Sequence, residues 1–448
     1  MAHDAREYDS TVNFLYGLQK HGIKLGLANI TGLMSLLGNP HRSFRSIHIA
    51  GTNGKGSTAA ALASILSTQG LSVGLYTSPH LVSFTERIRV NNEQIAESDV
   101  IDLAARVRSC IGGSGLNPTF FEFVTAMAFY HFSRRKTEWA VIETGMGGRL
   151  DATNVLSPEA VIITNISYDH AEFLGETLAE IAREKAGIIK QGVPVITASL
   201  APEIVSLLEE TARDMHAEFH AYGKDFSGTV DRSDDRQITI SYRGYETISG
   251  LTAPLPGDHQ LYNICLAVRA CEILRRRGLP LSEETMRKGL KGIRIEGRME
   301  RVSDDPPVII DGAHNPAAAE CLVSAVKKLF PKKKVILVAG IMSDKNIQGI
   351  LAPLADMAET IVLTKARYER AADPEKLKLL VPAIREPGGM ARPFSVFSTR
   401  TVAEALEQAK ALCTKDHIIL VTGSFYTTGE VKEILGRRSI LSRLQEHR

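Results

Sequence analysis

The sequence predicts an α/β protein of two domains, each built on a mostly parallel β-sheet with flanking helices. Short apolar runs alternate with helical patterns along the chain, and these runs are too apolar for strands with one face in water. The 448 residues also exceed the usual size of a single domain. Both observations favour buried parallel strands joined by crossover helices, in more than one domain.

The apolar runs fall into two groups, which indicates two separate sheets. The first group begins at Val73, Trp139, Ala160 and Val193, and the second begins at Val308, Val335, Thr360 and His417. Between the groups lies the highly charged segment KGIRIEGRMERV, at residues 291–302. We therefore place the domain boundary near residue 296, with a first domain at 1–296 and a second at 297–448.

A small β appendage is predicted in the first domain. Residues 226–250 contain the stretch ITISYRGYETISG, in which polar and apolar residues alternate around a glycine turn. This pattern is typical of an antiparallel hairpin. We expect the hairpin to be an appendage to the first domain.

The composition excludes several classes of protein. Hydrophobic residues make up 44% of the chain and charged residues 23%, as in ordinary globular proteins. A net charge of +2 gives no global attraction for nucleic acid or an anionic membrane, so neither is expected as a partner. No apolar run approaches the roughly 20 residues needed to span a bilayer, and we expect a cytoplasmic protein.

The five cysteines are dispersed and never spaced as C-x-x-C. This spacing argues against a disulfide framework and against a structural zinc site. We expect the cysteines to be small buried hydrophobic residues.

The stretch GTNGKGS at residues 51–57 has the features of a phosphate-binding loop. It lies between a predicted strand at 46–50 and a predicted helix at 57–66, which is the context that such loops require. Two positions depart from the G-x-x-x-x-G-K-[S/T] signature, because Ile49 replaces the first glycine and Gly56 replaces the hydroxyl residue. Backbone N–H groups at the helix start, together with Lys55, can still bind phosphate oxygens. The alternative is a glycine-rich turn in an ordinary α/β unit.

Four further polar residues indicate a metal or charge site near this loop. Ser78, Glu143 and His170 each follow an apolar run, and Lys185 lies in a predicted helix. Open α/β sheets bind ligands beyond the C-terminal ends of their strands. A hydroxyl, a carboxylate and an imidazole can hold Mg²⁺ or Mn²⁺ against nucleotide phosphates. Taken singly, each residue has an ordinary alternative as a turn serine, a salt-bridge glutamate or a surface histidine.

Six short motifs together resemble the folylpolyglutamate synthase and dihydrofolate synthase family, within the Mur ligase superfamily. They are GTNGKGS, TSPHL, GMGGRLDATN, REKAGI, GRME and DGAHNP, and the resemblance runs from about residue 13 to residue 429. The glycine after the loop lysine, Gly56, matches the folate branch, whereas cell-wall ligases usually have threonine there. The resemblance implies a P-loop-type first domain and a Rossmann-like second domain. It also implies ATP-dependent ligation of L-glutamate to folates, and to dihydropteroate, through an acyl phosphate.

The resemblance assigns roles to individual residues. It implies nucleotide contacts at Thr52, Asn53, Gly54, Lys55, Gly56, Ser57, Asn263, Arg298 and Asp311. It implies metal ligands at Ser78, Glu143 and His170, and catalytic roles for Lys55, Lys185 and His314. It implies substrate contacts at Phe121, Glu122, Leu150, Asp151 and Ala152, although Phe121 could equally be an ordinary core residue. The family often has DKD where this chain has Asp344, Lys345 and Asn346, so the glutamate pocket stays unassigned.

Lys185 is expected to act as a carbamate. The family match places this lysine beside the second of two Mg²⁺ ions, and an ammonium group there would be repelled. Reaction of the neutral amine with CO₂ supplies an anionic oxygen ligand instead, and burial favours the neutral amine. The alternative is a lysine on a helix surface.

Two rival functions are considered. A Mur peptidoglycan ligase shares the fold and the loop but carries a nucleotide-sugar domain before the loop, and only 50 residues precede the loop here. A nucleotide-gated switch protein would need the loop but not the additional metal and charge chemistry. We expect a ligase that acts as a monomer on small-molecule substrates.

Overall fold

The structure is a computed structural model that describes residues 2–22, 24, 26–385 and 394–436. Its described residues form three β-sheets and the helices that cover them. Residues 437–448 of the predicted second domain lie outside the described residues. No described helix is both long and apolar enough to cross a membrane.

The first sheet has eight strands in the order β4-β3-β2-β5-β1-β6-β7-β8. Strands β3 and β4 form its antiparallel edge, and the other neighbouring strands are parallel. The strands are β1 Arg45–Ala50, β2 Val73–Tyr76, β3 Ile88–Val90, β4 Glu93–Gln94, β5 Trp139–Glu143, β6 Ala160–Ile163, β7 Val195–Thr197 and β8 Phe219–Ala221. Its central strands are buried along nearly their whole length because helices cover both faces.

The helices of the first domain bury the two faces of this sheet in separate cores. They are α1 Ala2–Gly17, α2 Ala28–Leu36, α3 Lys55–Thr68, α4 Glu97–Ile111, α5 Phe120–Arg134, α6 Ala171–Leu174, α7 Leu178–Ala186, α8 Pro202–Asp214, α9 Gln260–Arg276 and α10 Glu283–Lys291. One core contains α3, α9 and α10, and another contains α1, α2, α4 and α5. Helix α3 is alanine-rich and almost fully buried, so neighbouring helices can approach it closely.

The predicted appendage is a three-stranded antiparallel sheet in the order β11-β10-β9. Its strands are β9 Ser227–Ser233, β10 Ile238–Arg243 and β11 Thr247–Ala253. The predicted hairpin corresponds to β10 and β11, and the prediction of only two strands was wrong. Strand β9, with the sequence SGTVDRS, lacks the apolar alternation that would reveal it, because none of its residues is fully buried.

The second domain has a six-stranded sheet in the order β12-β13-β17-β14-β15-β16. Strand β12 pairs antiparallel with β13, and the remaining pairs are parallel. The strands are β12 Glu300–Asp304, β13 Pro307–Ile310, β14 Lys334–Ala339, β15 Thr360–Leu363, β16 Ser395–Ser398 and β17 His417–Thr422. The helices are α11 Pro316–Leu329, α12 Ile347–Met357, α13 Pro374–Arg385, α14 Val402–Leu412 and α15 Phe425–Ile434.

The predicted mixed α/β architecture is confirmed, and all eight apolar runs contribute a buried strand. The expectation that every cysteine is buried was wrong. Cys265 and Cys271 are buried in α9, but Cys110 and Cys413 are half-buried and Cys321 is exposed. Cys321 is exposed because it lies where α11 borders the cleft between the two large sheets.

Helix α9 contains a buried ion pair whose carboxylate is hydrogen-bonded to the appendage. The Glu272 carboxylate accepts hydrogen bonds from Arg269 at 2.9 Å and from the Tyr242 hydroxyl at 2.7 Å. It also accepts backbone N–H bonds from Tyr245 and Glu246. Both charged side chains are almost completely buried. The bonds to Glu272 therefore fix the three-stranded sheet to the main body of the first domain.

We expect Glu272→Ala to destabilise the first domain, because it leaves the Arg269 charge buried without its partner. The expected loss is about 3–5 kcal/mol of unfolding free energy, measured by urea denaturation. The matched control is Glu284→Ala, which removes an exposed carboxylate paired with Lys288 and should leave the unfolding midpoint unchanged. Equal effects of the two substitutions would contradict this account.

Candidate active site

A cleft of about 470 Å³ lies between the two large sheets. Its walls are the segments that follow the C-terminal ends of β1, β2, β5, β6 and β7 in the first domain and of β13 in the second. All the residues predicted to contact nucleotide or metal, or to act in catalysis, line this cleft. The structure therefore brings together groups that lie as far apart in the chain as Thr52 and His314.

The phosphate-binding loop connects β1 to α3 and is fixed by the segment after β6. Thr52 N donates to the Asn165 carbonyl at 2.9 Å, and the Asn165 side chain accepts from Asn53 N at 3.0 Å. The Thr164 hydroxyl donates to the Asn53 carbonyl at 2.6 Å. These bonds hold the loop without occupying the first N–H groups of α3. The helix start therefore remains available to an anion.

Gly54 is required at the start of α3. Its φ is 86°, which is in the left-handed region, and a Cβ atom there would lie 2.2 Å from Asn263 Oδ1. Asn263 lies in α9 and is fixed in turn by Gln260, whose side chain accepts from it at 2.8 Å. The predicted nucleotide contact Asn263 thus lies directly against the loop.

Two lysines converge on one carbonyl oxygen of the loop. The Lys55 ammonium donates to the Gly51 carbonyl at 3.1 Å, and Lys185 Nζ donates to the same oxygen at 3.0 Å. Lys185 is buried, and this burial together with the nearby Lys55 charge lowers the pKa of Lys185 to about 7. The site thus concentrates positive charge where an anion would bind.

Glu143 lies at the end of β5 beside Ser78. Its Oε2 accepts from Ser78 N at 3.2 Å, and its Oε1 lies 3.9 Å from the Lys55 ammonium. Burial raises the pKa of the Glu143 carboxyl, against the opposing effect of Lys55. Two of the three predicted metal ligands are therefore in direct contact.

The third predicted ligand, His170, has different neighbours. Its Nε2 lies 3.8 Å from Asp169 Oδ1 and 3.5 Å from the Lys345 ammonium. Burial lowers the pKa of His170 to about 4, although Asp169 opposes this shift. The imidazole is therefore neutral near pH 7, and its unprotonated nitrogen can accept a hydrogen bond or bind a metal.

The second domain forms the opposite wall with Arg298, Asp311 and His314. Asp311 is occupied by backbone donors, from Met299 N to Oδ2 and from Ala313 N to Oδ1, both at 2.9 Å. The Arg298 guanidinium lies 4.7 Å above the Phe425 ring. Asp311 therefore shapes the backbone of this wall, whereas the Arg298 guanidinium lies along the cleft.

Direct contacts cross the cleft between the domains. Asn315 Nδ2 donates to Asn53 Oδ1 at 2.9 Å, and the Lys345 ammonium donates to Asp169 Oδ1 at 2.7 Å. His314 Nε2 lies 3.6 Å from the same Asp169 carboxylate. Burial raises the pKa of Asp169, but the contacts with His314 and Lys345 outweigh it and hold this pKa well below its usual range. Asp169 therefore links the two walls as an anion.

Sequence reasoning missed these cross-cleft residues. Asp169 precedes the predicted ligand His170 in the quoted motif, and Asn315 follows His314, so both stood next to residues that were assigned. Lys345 was left unassigned because its motif departs from the family pattern. Without that pattern, the sequence shows only a lysine that follows a predicted β-strand. Such lysines are too common to indicate that Lys345 pairs with Asp169.

The five predicted substrate residues lie behind the cleft and do not line it. The Glu122 carboxylate caps helix α5 by accepting from Thr119 N at 2.7 Å. Asp151 Oδ2 accepts from Met146 N at 2.9 Å, and a Cβ atom on Gly145 would lie 2.5 Å from the Phe121 ring. Leu150 is half-buried and Ala152 is buried. Asp151 and Phe121 therefore contact the glycine-rich loop after β5. Contact of the five residues with a substrate stays a prediction.

Two protein-family models match the chain. The Mur ligase middle domain matches residues 49–271, and the Mur ligase glutamate ligase domain matches residues 297–425. The chain is 32% identical to the folylpolyglutamate synthase of Lacticaseibacillus casei, with 96% of this chain and 100% of that protein covered. It is 34% identical to the dihydrofolate synthase/folylpolyglutamate synthase of Escherichia coli, with 96% of both covered.

The chain belongs to the folylpolyglutamate synthase and dihydrofolate synthase family. The resemblance read from the six motifs is thereby confirmed.

Solved structures of this family have the same fold. The folylpolyglutamate synthase of Thermotoga maritima is 36% identical with a TM-score of 0.84, covering 99% of this chain and 100% of that one. FolC of Escherichia coli, in complex with DHPP and ADP, is 32% identical with a TM-score of 0.84, covering 95% and 97%. The folylpolyglutamate synthase of Mycobacterium tuberculosis, complexed with ADP, is 30% identical with a TM-score of 0.87, covering 96% and 100%.

We expect Gly54→Ala to weaken ATP binding, because the new methyl group would collide with Asn263 and the left-handed φ would be strained. The Kd for ATP should rise at least about tenfold, measured by isothermal titration calorimetry. Gly70→Ala is the matched control, since Gly70 has a φ of 90° but nothing within 4 Å of a Cβ. It imposes similar backbone strain and should leave the Kd unchanged. ATP binding by Gly54→Ala at wild-type strength would contradict the geometry.

Proposed function

We propose that this protein is an ATP-dependent ligase that adds L-glutamate to folates and to dihydropteroate. The observation that carries the proposal is the cleft in which the loop at residues 51–57 faces Arg298 of the other domain. Relatives with these activities also match nearly the whole chain. That match favours neither of the two alternatives, a Mur peptidoglycan ligase and a nucleotide-gated switch protein.

The reaction proceeds in two displacements. A carboxylate oxygen of the folate or pteroate substrate attacks the γ-phosphorus of ATP, and ADP leaves with the electrons of the broken P–O bond. The amine nitrogen of glutamate then attacks the acyl carbon, inorganic phosphate leaves, and the amine loses a proton. Both steps depend mainly on positioning and on neutralising phosphate charge.

The residues of the cleft suit these requirements. Lys55 and the N–H groups at the start of α3 bind phosphate oxygens from the first domain. Arg298 binds them from the second domain. His314 lies near the end of β13 against Asp169, and in this proposal it orients the groups that react at the cleft centre.

Mg²⁺ is proposed to bind with the nucleotide. The described residues contain no group of three or more His, Cys, Asp or Glu side chains that could hold a metal alone. Mg²⁺ in nucleotide sites commonly uses one or two carboxylates together with substrate phosphates, and the buried Glu143 beside Ser78 fits that pattern. When bound, the ion would neutralise phosphate charge during transfer. His170 is the proposed ligand of a second ion.

Lys185 is proposed to carry an N6-carboxyl group. The neutral amine attacks CO₂ to form a carbamate, and one proton is released to solvent. A pKa of about 7 leaves a large neutral fraction at physiological pH. The resulting carboxylate would offset the Lys55 charge and supply an anionic oxygen ligand beside His170.

Three further properties belong to this proposal. We place the domain boundary at residue 296, since no strand of either large sheet comes from across that position. We propose that the protein acts as a monomer. We also propose a cytoplasmic location, where the folate and ATP substrates are available.

We expect the purified protein to form amide products from L-glutamate with either dihydropteroate or tetrahydrofolate, in the presence of ATP and Mg²⁺. Product formation is measured by chromatography together with ADP release. Omission of glutamate should stop most ADP release. Rapid ATP hydrolysis without glutamate, or no amide product with either acceptor, would refute the proposal.

We expect a carbamate on Lys185 that is detectable by ¹³C NMR in bicarbonate-labelled protein. Its signal should grow as pH rises through about 7, because only the neutral amine reacts with CO₂. Lys185→Ala should lose the signal and most ligase activity, and added short carboxylic acids should restore part of that activity.

The matched control is Lys190→Ala. Burial also lowers the pKa of Lys190, but its ammonium donates to Asn154 Oδ1 at 2.8 Å, away from the cleft lining. This variant should keep the carbamate signal. A signal that survives Lys185→Ala, or near-normal ligase activity of that variant at limiting Mg²⁺, would exclude the carbamate.

A further inference from the structure

One buried lysine holds the chain on both sides of Arg298. Lys432 Nζ lies 2.6 Å from Glu296 Oε2 and 2.7 Å from Glu300 Oε1. The Lys432 side chain is only 1% exposed. The two carboxylates belong to the residues two positions before and two positions after Arg298. The linker that carries Arg298 is therefore closed into a short loop by a single cation.

The backbone of this loop is tightly determined. Gly297 has a φ of 66° and Met299 a φ of 47°, so the residues on either side of Arg298 have left-handed conformations. Gly297 N donates to Glu300 Oε2 at 2.8 Å, and Gly312 N donates to the Gly297 carbonyl at 2.9 Å. The loop is thus fixed to the second domain. Its direction depends on where the Glu300 carboxylate is held.

The same helix supports the guanidinium and the loop. Phe425 and Lys432 are seven residues apart in α15, which is about two turns, so they lie on one face of the helix. The Arg298 guanidinium packs over Phe425, at 4.7 Å, while Lys432 holds the carboxylates that flank Arg298. Helix α15 therefore determines both the position and the orientation of this arginine.

The Arg298 guanidinium itself has no carboxylate partner within 4.0 Å among the residues that the structure describes. Its N–H groups line the cleft instead. On the other side, Arg89 of the first domain donates to the Arg294 carbonyl at 3.3 Å. The chain therefore passes from one domain to the other at residues 295–296, and Arg298 belongs to the second domain.

We propose that Lys432 is a positioning residue for the ligation reaction, which places the Arg298 guanidinium against the ATP phosphates by clamping Glu296 and Glu300. This inference rests on the proposed function, in which Arg298 is a phosphate ligand. A buried ion pair is often no more stabilising than apolar residues of similar size. A buried lysine between two glutamates is therefore better explained by the geometry it imposes than by the stability it adds.

The test is a double-mutant cycle in the full-length protein, with kcat and the KM for ATP as readouts. Lys432→Met should lower kcat/KM for ATP by about 10²-fold, because small misplacements of a positioned group cost that much. Its effect should be absent in an Arg298→Ala background, since the two residues act through one another. The KM for the folate substrate should stay unchanged, and Lys432→Arg should recover most of the loss.

A milder variant and a control keep the test decisive if Lys432→Met fails to fold. Glu296→Gln removes one partially exposed carboxylate of the clamp, and its smaller loss of kcat/KM should also be absent in the Arg298→Ala background. Arg367→Gln breaks the pairs that anchor the same helix through Glu430 and Glu433, without touching the linker. It should lower Tm and leave kcat/KM for ATP unchanged.

Different results would overturn the positioning role, the phosphate role of Arg298 and the proposed function separately. Wild-type kinetics of both clamp variants, or losses that multiply with that of Arg298→Ala, would overturn the positioning role alone. Full activity of Arg298→Ala would overturn the phosphate role of Arg298, and the inference with it. Failure of the wild-type protein to form an amide would overturn the proposed function.

Discussion

Lys55 and Lys185 donate to the same oxygen, the Gly51 carbonyl, and the rest of the site is arranged around this concentration of positive charge. Two like charges this close in a buried cleft repel one another, so each favours an anion or a neutral partner nearby. Glu143 supplies part of that compensation at 3.9 Å from Lys55. A bound polyphosphate and a carbamate on Lys185 would supply the remainder. The arrangement is therefore suited to a site that is complete only with its substrates.

The same constraint explains why two domains are needed. The loop of the first domain offers N–H groups and Lys55 on one side of the cleft, and a polyphosphate bound there would remain exposed on the other. In the proposed function Arg298 covers that side from the second domain, where its guanidinium packs over Phe425 and Lys432 holds the adjacent Glu300. Asp169 joins the two walls through Lys345 and His314. Because these contacts cross the cleft, closure and phosphate binding are coupled in this account.

The sequence predicted the parts of the fold that depend on strong local patterns. The eight apolar runs, the loop at residues 51–57 and the residues at strand ends were found because burial and glycine leave clear signals. Strands β3, β4, β8, β9, β12 and β16 were missed, since they are short or polar and are held by pairing with neighbours.

In the site, sequence reasoning found individual residues but not their mutual contacts. Asp169 pairs with Lys345, which is 176 residues away in the sequence, and Lys432 pairs with Glu300, which is 132 residues away. No local sequence pattern encodes contacts between residues so far apart. Charged side chains are common on surfaces, so a lysine such as Lys432 gives no sign in the sequence that it is buried.

The most direct test of the central claim is a crystal structure of the protein with a non-hydrolysable ATP analogue and Mg²⁺. We expect the terminal phosphates to lie within hydrogen-bonding distance, about 3.5 Å or less, of both Lys55 and the Arg298 guanidinium. Phosphates bound to the loop alone, with Arg298 turned away from them in a closed cleft, would contradict the claim that both domains bind the nucleotide.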